Sequence, residues 1–133
     1  MSTLRAFIVE DSPVIRENLV AALEELAPVT VTGQADDEAS ALAWLQDAAH
    51  ACDVVVIDIF LRRGSGLGVL RWLHEHDHRA ERIVLTNYAT PDMRRHCLAL
   101  GASRVFDKSG EIDALVEHCV ALAQGADGAG RAA

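Results

Sequence analysis

The feature that most constrains the fold is a fivefold alternation of short apolar runs with segments of helical periodicity. The first run, residues 4–9, precedes a segment in which apolar residues recur at helical spacing over residues 13–26. The third run, residues 54–58, is continuously apolar until its closing aspartate, which is typical of a central strand in a parallel sheet. Strands that alternate with helices in this way predict an α/β fold.

The same pattern sets the expected element bounds. We expect strands at residues 4–9, 29–34, 54–58, 83–86 and 103–106, each followed by a helix. Five such units predict a doubly wound parallel sheet with helices on both faces. The predicted domain covers residues 1–124. Residues 125–133, Gly-Ala-Asp-Gly-Ala-Gly-Arg-Ala-Ala, are expected to form a flexible C-terminal tail.

Composition argues against several classes of protein. The chain has 133 residues, with 12 Lys and Arg against 20 Asp and Glu, so its formal net charge is −8. This balance disfavours binding to nucleic acid and to anionic membranes. No apolar stretch is long enough to span a membrane. Cys52, Cys97 and Cys119 form no paired motif, which predicts reduced thiols and a cytoplasmic protein.

Polar residues stand at the ends of four of the predicted strands. Glu10 and Asp11 follow the first strand, Asp58 ends the third, Thr86 ends the fourth and Lys108 follows the fifth. In a parallel sheet these ends meet at one edge, where ligands bind. Each residue alone is better explained as a helix cap, a strand residue or a surface lysine, but the joint order favours a functional site.

Three carboxylates at one edge require compensation. At an effective dielectric of about 20, two like charges about 4 Å apart repel by roughly 4 kcal/mol. Either one acid is protonated or a cation lies among them, and hard oxygen ligands suit Mg²⁺. Asp58 is then a candidate nucleophile that forms an acyl phosphate, with Thr86 and Lys108 as partners of the phosphoryl oxygens.

These residues resemble the receiver domain of two-component response regulators over about residues 4–124. The resemblance implies a flavodoxin-like receiver fold with strand order 2-1-3-4-5, the order that such domains are known for. Gly66 and Leu67 also match the family before the third helix. The segments that carry the resemblance are Phe7-Ile8-Val9-Glu10-Asp11-Ser12-Pro13, Val54-Val55-Val56-Ile57-Asp58-Ile59-Phe60-Leu61, Val84-Leu85-Thr86-Asn87-Tyr88 and Gly101-Ala102-Ser103-Arg104-Val105-Phe106-Asp107-Lys108-Ser109.

The resemblance also implies a metal site. Glu10 and Asp11 are expected to position Mg²⁺ together with Asp58, and the Phe60 carbonyl is the expected backbone ligand. Asp58 is the expected site of phosphorylation.

The remaining roles follow from the same resemblance. Thr86 is the expected switch hydroxyl, and Lys108 is expected to contact the phosphoryl group on Asp58. The donor would be a sensor histidine kinase or a histidine phosphotransfer protein. The domain would catalyse only its own phosphorylation and slow dephosphorylation, and would not be an enzyme for external substrates.

Four positions depart from the family pattern. Val105 replaces a common aromatic residue, which makes an aromatic switch there doubtful. Ser109 replaces the proline that usually follows the lysine, so we expect a trans peptide and a serine that is free to cap the fifth helix. Asn87 replaces a small residue, and Arg62 replaces a frequent proline. Phe60 and Tyr88 are also bulky, and we expect them to restrict access of water to the acyl phosphate.

The preferred interpretation is a stand-alone, single-domain response regulator. Its expected output is a protein target that binds the face formed by the fourth helix, the fifth strand and the fifth helix, and homodimerisation through that face is left open. One alternative is a phosphorylation-independent interaction module with the same fold. A weaker alternative is a metal-dependent phosphatase, for which no second acid or base is identified.

Overall fold

The structure is a computed structural model that describes the backbone of residues 3–132 and the side chains of residues 3–125. Five strands alternate with five helices along the chain. Their bounds are β1 Leu4–Val9, α1 Pro13–Leu26, β2 Val29–Ala35, α2 Glu38–Gln46, β3 Val54–Ile57, α3 Gly66–Glu75, β4 Glu81–Thr86, α4 Pro91–Ala99, β5 Arg104–Asp107 and α5 Ile112–Ala132.

The strands form one parallel sheet in the order β2-β1-β3-β4-β5. This order confirms the predicted doubly wound topology. The pairing of β1 with β2 shifts register between Ala6 and Phe7, whereas β3 pairs regularly with both of its neighbours. The regular central pairing brings the carboxyl ends of β1, β3 and β4 to the same height, which is where the candidate residues stand.

Two apolar cores lie on the two faces of the sheet. Val55 and Ile57 belong to one core, and Val54 and Val56 belong to the other. Every residue of β3 is therefore buried, which explains its continuous apolar run.

The two cores also separate neighbouring residues of β5. Val105 and Phe106 lie in opposite cores, as expected for adjacent residues of a strand. Val105 is only 7% exposed and packs in the core that α3 and α4 cover. The position therefore holds a small, packed side chain rather than an aromatic ring.

Side chains in the loops that follow β1, β3 and β4 cap the N-termini of helices α1, α3 and α4. Ser12 accepts a hydrogen bond from the amide of Ile15 at 3.3 Å, and Ser65 accepts one from Leu67 at 3.0 Å. Thr90 likewise accepts one from the amide of Met93. These N-caps satisfy amides that the helix leaves free. Each cap orders a loop at the carboxyl edge of the sheet.

Helix α5 runs into the segment that was expected to form a tail. The predicted domain ends at residue 124, whereas α5 extends to Ala132. Glycines weaken this segment by up to about 1 kcal/mol each, yet no proline interrupts it and alanines stand between them. The flexibility expected of residues 125–133 stays a prediction.

Two further observations concern the described part of the chain. Within residues 3–132, no helix has the length and apolar character needed to cross a membrane. Cys52, Cys97 and Cys119 are free thiols, and Cys97 and Cys119 are buried. Burial raises the pKa of the Cys119 thiol to about 11, so this thiol is packed in the core in its neutral form.

Candidate functional site

Four of the five polar residues predicted at the strand ends line a cavity of about 200 Å³ at the carboxyl edge of the sheet. Glu10 and Asp11 follow β1, Asp58 follows β3 and Lys108 follows β5. The fold therefore gathers four of the candidate side chains in one place. The complete lining is Glu10, Asp11, Ser12, Ile15, Asp58, Phe60, Asn87, Tyr88 and Lys108.

Lys108 pairs with two acids at once. Its Nζ lies 2.6 Å from Glu10 Oε1 and 2.9 Å from Asp58 Oδ2. The side chains are only 9% exposed for Lys108, 2% for Glu10 and 7% for Asp58. Burial opposes the ammonium form, but the hydrogen bond that Lys108 donates to Asp58 and the attraction of both carboxylates outweigh it and raise the pKa of Lys108. The lysine is therefore charged and held between the acids.

Glu10 is the most deeply buried acid of the site. Burial raises the pKa of its carboxyl group, and the nearby charge of Asp58 adds to this, against the contacts with Lys108 and the Ser12 amide. Both partners of the Glu10–Lys108 pair thus have a raised pKa. One ammonium cannot neutralise two buried carboxylates, so the site carries surplus negative charge.

The site also fits a divalent cation. Carboxylate oxygens of Glu10, Asp11 and Asp58 lie within 4.8 Å of one another. Glu10 Oε1 is buried and has no hydrogen bond of good geometry, because its close contact with Lys108 is an ion pair without the angles of a hydrogen bond. A buried oxygen with a free lone pair and surplus negative charge match the hard, oxygen-rich donor set that Mg²⁺ prefers.

The position of Phe60 depends on a tight loop between β3 and α3. Its amide lies 3.4 Å from Asp58 Oδ1, and it forms an isolated bridge with Ser65. A Cβ atom on Gly66 would lie 2.1 Å from the Asp58 carbonyl oxygen. Only glycine lets the chain return this close to the end of β3, which keeps the Phe60 backbone beside Asp58.

Thr86 lies at the edge of this arrangement. It is fully buried, and its hydroxyl accepts a hydrogen bond from the amide of Tyr88 at 3.2 Å. Its carbonyl accepts one from the amide of Lys108 at 2.9 Å. Among the described residues, no hydrogen bond joins Thr86 to Asp58. The structure thus places Thr86 next to the site without bringing its hydroxyl onto the acid.

Two aromatic rings stand at the mouth of the cavity. Phe60 and Tyr88 contact each other edge to face, with ring centroids 4.7 Å apart. Both remain about half exposed, at 51% and 59%. The rings partly cover the approach to Asp58 from solvent, and Asn87 lines the same opening.

Sequence reasoning missed several contacts of the site. Ser12, which caps α1, also holds Glu10 through its amide at 3.0 Å. Arg16 donates to the Glu10 carbonyl oxygen at 2.9 Å. Nothing in the local pattern marks these contacts, because each depends on how the loop after β1 turns into α1.

A family model matches most of the chain. The model described as the response regulator receiver domain matches residues 6–120. The chain belongs to the response regulator receiver family. The match begins within β1, includes β2 to β5 in full and ends within α5.

Curated relatives extend beyond the receiver domain. A protein named "Probable transcriptional regulatory protein NarL" from Mycobacterium tuberculosis is 27% identical over 93% of this chain and 56% of its own length. A protein named "Uncharacterized transcriptional regulatory protein YvfU" from Bacillus subtilis is 32% identical over 86% of this chain and 56% of its own length. The chain thus spans about half the length of these relatives.

Solved receiver structures share the same architecture. The signal receiver domain of the putative response regulator NarL from Mycobacterium tuberculosis superposes with a TM-score of 0.82 at 26% identity, covering 94% of this chain and 99% of that one. The isolated receiver domain of RcsB from Salmonella enterica serovar Typhimurium, solved with the phosphomimetic BeF3-, gives 0.82 at 22% identity, covering 93% and 91%. The second similarity concerns the fold alone.

Proposed function

We propose that this receiver domain is a Mg²⁺-dependent phosphoacceptor whose phosphorylated residue is Asp58. The observation that carries the proposal is the contact of one buried lysine with two buried acids, 2.6 Å and 2.9 Å away, beside a third acid. Surplus negative charge beside one lysine ammonium suits a site that accepts a divalent ion and then an anionic group. The donor is a phosphohistidine of a sensor kinase or of a phosphotransfer protein.

The transfer forms one bond and breaks one. An Asp58 carboxylate oxygen attacks the phosphorus atom, the bond from phosphorus to the histidine nitrogen breaks, and the imidazole leaves with the electron pair and takes a proton. Glu10, Asp11, Asp58 and the Phe60 carbonyl would hold Mg²⁺, which offsets the charge of the phosphoryl oxygens when it is bound. Lys108 already contacts the Asp58 carboxylate. After the transfer, its ammonium group contacts a phosphoryl oxygen in place of a carboxylate oxygen.

The signal then passes to the neighbouring face. The Thr86 hydroxyl, which now accepts a hydrogen bond from Tyr88, becomes a donor to the phosphoryl group. That change moves the loop between β4 and α4 and shifts a two-state equilibrium of the face formed by α4, β5 and α5. A protein target binds this face. The relatives are named transcriptional regulators. A second route for the signal is therefore an output domain in the same polypeptide as the receiver domain.

The first test is phosphoryl transfer to the intact protein. Wild type is incubated with acetyl phosphate or phosphoramidate, with and without Mg²⁺, and the intact mass is measured. We expect one added phosphoryl group that requires both Mg²⁺ and Asp58, so Asp58→Asn remains unmodified. Asp53→Asn is the matched control, because Asp53 stands next to the other end of the same strand, and it should be modified like wild type.

Two results would count against this function. Modification of Asp58→Asn would place the phosphoryl group elsewhere. No modification of wild type, even with a panel of phosphorylated histidine kinases as donors, would favour the phosphorylation-independent interaction module.

The aromatic pair at the mouth predicts a slow loss of phosphate. Phe60 and Tyr88 contact each other over the opening, so water reaches the acyl phosphate less easily than it would past small side chains. We expect Phe60→Ala and Tyr88→Ala to lose phosphate faster than wild type, measured by intact mass over time after the donor is removed. Slower loss from either variant would contradict this shielding role.

A further inference from the structure

One arginine of α4 connects three separate segments of the domain. Arg94 donates from Nε to the Ala89 carbonyl oxygen at 3.0 Å and from Nη1 to the Val105 carbonyl oxygen at 2.6 Å. Its Nη2 donates to Glu111 Oε1 at 3.1 Å. The guanidinium group thus joins the loop before α4, the edge strand β5 and the residue before α5.

Glu111 in turn holds the turn that presents Lys108. Its Oε1 atom accepts a hydrogen bond from the Asp107 amide at 2.7 Å, and its own amide donates to the Asp107 carbonyl oxygen at 2.8 Å. Glu111 therefore bonds to both the amide and the carbonyl group of Asp107, which closes the turn. Lys108 is the next residue, and its amide donates to the Thr86 carbonyl oxygen at 2.9 Å.

This turn differs from the one expected in the family. No cis peptide bond occurs among the described residues, so Ser109 follows Lys108 through a trans bond, as predicted. Ser109 does not cap α5, because its amide and hydroxyl both donate to Asp107 Oδ1. The chain thus shapes the turn by polar contacts with Asp107 where a proline would impose it by covalent geometry.

We propose that Arg94 and Glu111 are positioning residues that set the reach of Lys108 towards Asp58. The inference rests on the proposed phosphoacceptor function. Neither residue touches Asp58, and both are more than a third exposed, at 38% and 39% of the side chain. A surface pair of this kind contributes little to global stability. Its structural effect is local, because it fixes the backbone before and after Lys108. The ammonium group of this lysine must meet the phosphoryl group.

The geometry also predicts which substitutions preserve this positioning role. Three acceptors in different directions require the planar fork of arginine, and a lysine cannot reach them all. Glu111→Gln keeps an oxygen that accepts from the Asp107 amide, whereas Glu111→Ala removes it. The pair of Glu111 variants therefore separates loss of charge from loss of the hydrogen bond.

The experiment measures two properties of the full chain. The rate of phosphoryl uptake from phosphoramidate is followed by intact mass over a series of Mg²⁺ concentrations. Hydrogen exchange of the Asp107 amide is followed by NMR in the absence of donor. Arg95→Ala is the matched control, because Arg95 is a neighbouring α4 arginine that pairs with Asp92 at the surface.

A misplaced catalytic group costs up to about a hundredfold in rate, and we expect about a tenfold lower maximal rate for Glu111→Ala and Arg94→Lys. The Mg²⁺ concentration for half-maximal rate should stay unchanged, because the acids are not moved. The Asp107 amide should exchange faster in Glu111→Ala. Glu111→Gln should recover most of both properties, and Arg95→Ala should match wild type.

The outcomes separate the positioning role from the proposed function. A rate of Glu111→Ala equal to that of wild type, with a deprotected Asp107 amide, overturns the positioning role. An unchanged amide exchange in Glu111→Ala overturns it as well, whether or not any variant accepts phosphate. Absence of phosphoryl uptake by wild type instead overturns the proposed function, while the exchange data still report on the turn.

Discussion

Strands β1 and β3 are joined by an ion pair at each end, and the two pairs behave differently. At the carboxyl end, Lys108 lies between Glu10 and Asp58, and all three side chains are less than a tenth exposed. At the amino end, Arg5 and Asp53 meet at 3.1 Å with side chains 51% and 36% exposed. Both ends place a carboxylate beside β3 against a cation, but the cation at the carboxyl end comes from the loop after β5, and solvent reaches the amino end far more freely.

The direction of each pKa shift shows what solvent does. At the amino end, the Arg5 side chain donates to both carboxylate oxygens of Asp53, and these hydrogen bonds lower the pKa of that carboxyl group. At the carboxyl end, burial dominates and raises the pKa of Glu10 although a lysine touches it. In the exposed pair, each charge is therefore balanced by its partner. The buried site keeps a carboxylate charge that no cation of the site balances, and a ligand can use it.

The largest expected effect is removal of the buried cation. Lys108→Met leaves Glu10 and Asp58 buried together without a partner, and breaking a buried pair in this way costs about 3 kcal/mol of unfolding free energy. Urea unfolding at neutral pH measures it. Arg5→Met is the matched control at the amino end, where water replaces the partner and only a small loss is expected. Equal losses from both variants would remove the distinction between the two ends.

The second effect is stabilisation by Mg²⁺. An ion that binds only the folded protein raises the unfolding free energy by about 1.4 kcal/mol at about ten times its Kd. We expect this rise in wild type, a larger one in Lys108→Met and a smaller one in Asp11→Ala, measured by thermal unfolding. Ca²⁺ and Na⁺ at matched ionic strength serve as controls. Stabilisation that persists in full in Asp11→Ala would place the ion outside the acidic site.

The third effect is a pH dependence of stability that comes from Glu10. Because the folded state raises the pKa of Glu10 above its ordinary value of 4.5, the folded protein binds more protons than the unfolded chain just above that pH. Stability therefore falls as pH rises through this window. We expect Glu10→Gln to lose this fall in urea unfolding at a series of pH values. A parallel pH profile for variant and wild type would show that burial does not perturb Glu10.

The smallest effect is a pH dependence of stability at the amino end, and its sign is opposite to that of Glu10. Arg5 lowers the pKa of Asp53 below 3.8, so this pair contributes stability above that pH and loses it as pH falls through the lowered pKa. Asp53→Asn should therefore lower stability slightly at neutral pH and match wild type in acid, where the Asp53 carboxyl group is protonated in wild type as well. A loss at neutral pH comparable to that of Lys108→Met would contradict the screening of this end by solvent.

Much of the fold could be predicted from the pattern of apolar residues. The continuous run of β3 and the helical spacing of α1 identify the element types without any long-range information. Parallel pairing then brings Glu10, Asp58 and Lys108 to one edge, as the structure confirms. Helix α5 continues to Ala132 because glycine weakens a helix without stopping it, so a glycine-rich composition does not mark its end.

The network of Arg94 could not be predicted in the same way. Its three acceptors belong to a loop, an edge strand and the start of a helix, and two of them are backbone oxygens that every residue carries. The edge contact of Phe60 with Tyr88 is similar, since it depends on how two loops approach each other. Such contacts depend on loop geometry, which residue types alone do not specify.

The sequence by itself determined the order of the elements and which polar groups stand at the strand ends, because strand and helix periodicity are local properties of the chain. The tertiary structure decided which of those groups touch and how far water reaches them. Lys108 reaches Glu10 and Asp58, whereas Thr86 turns to the Tyr88 amide. Burial and distance are properties of the packed molecule, and they separate a buried, charged site from the exposed ion pair at the other end of the same strands.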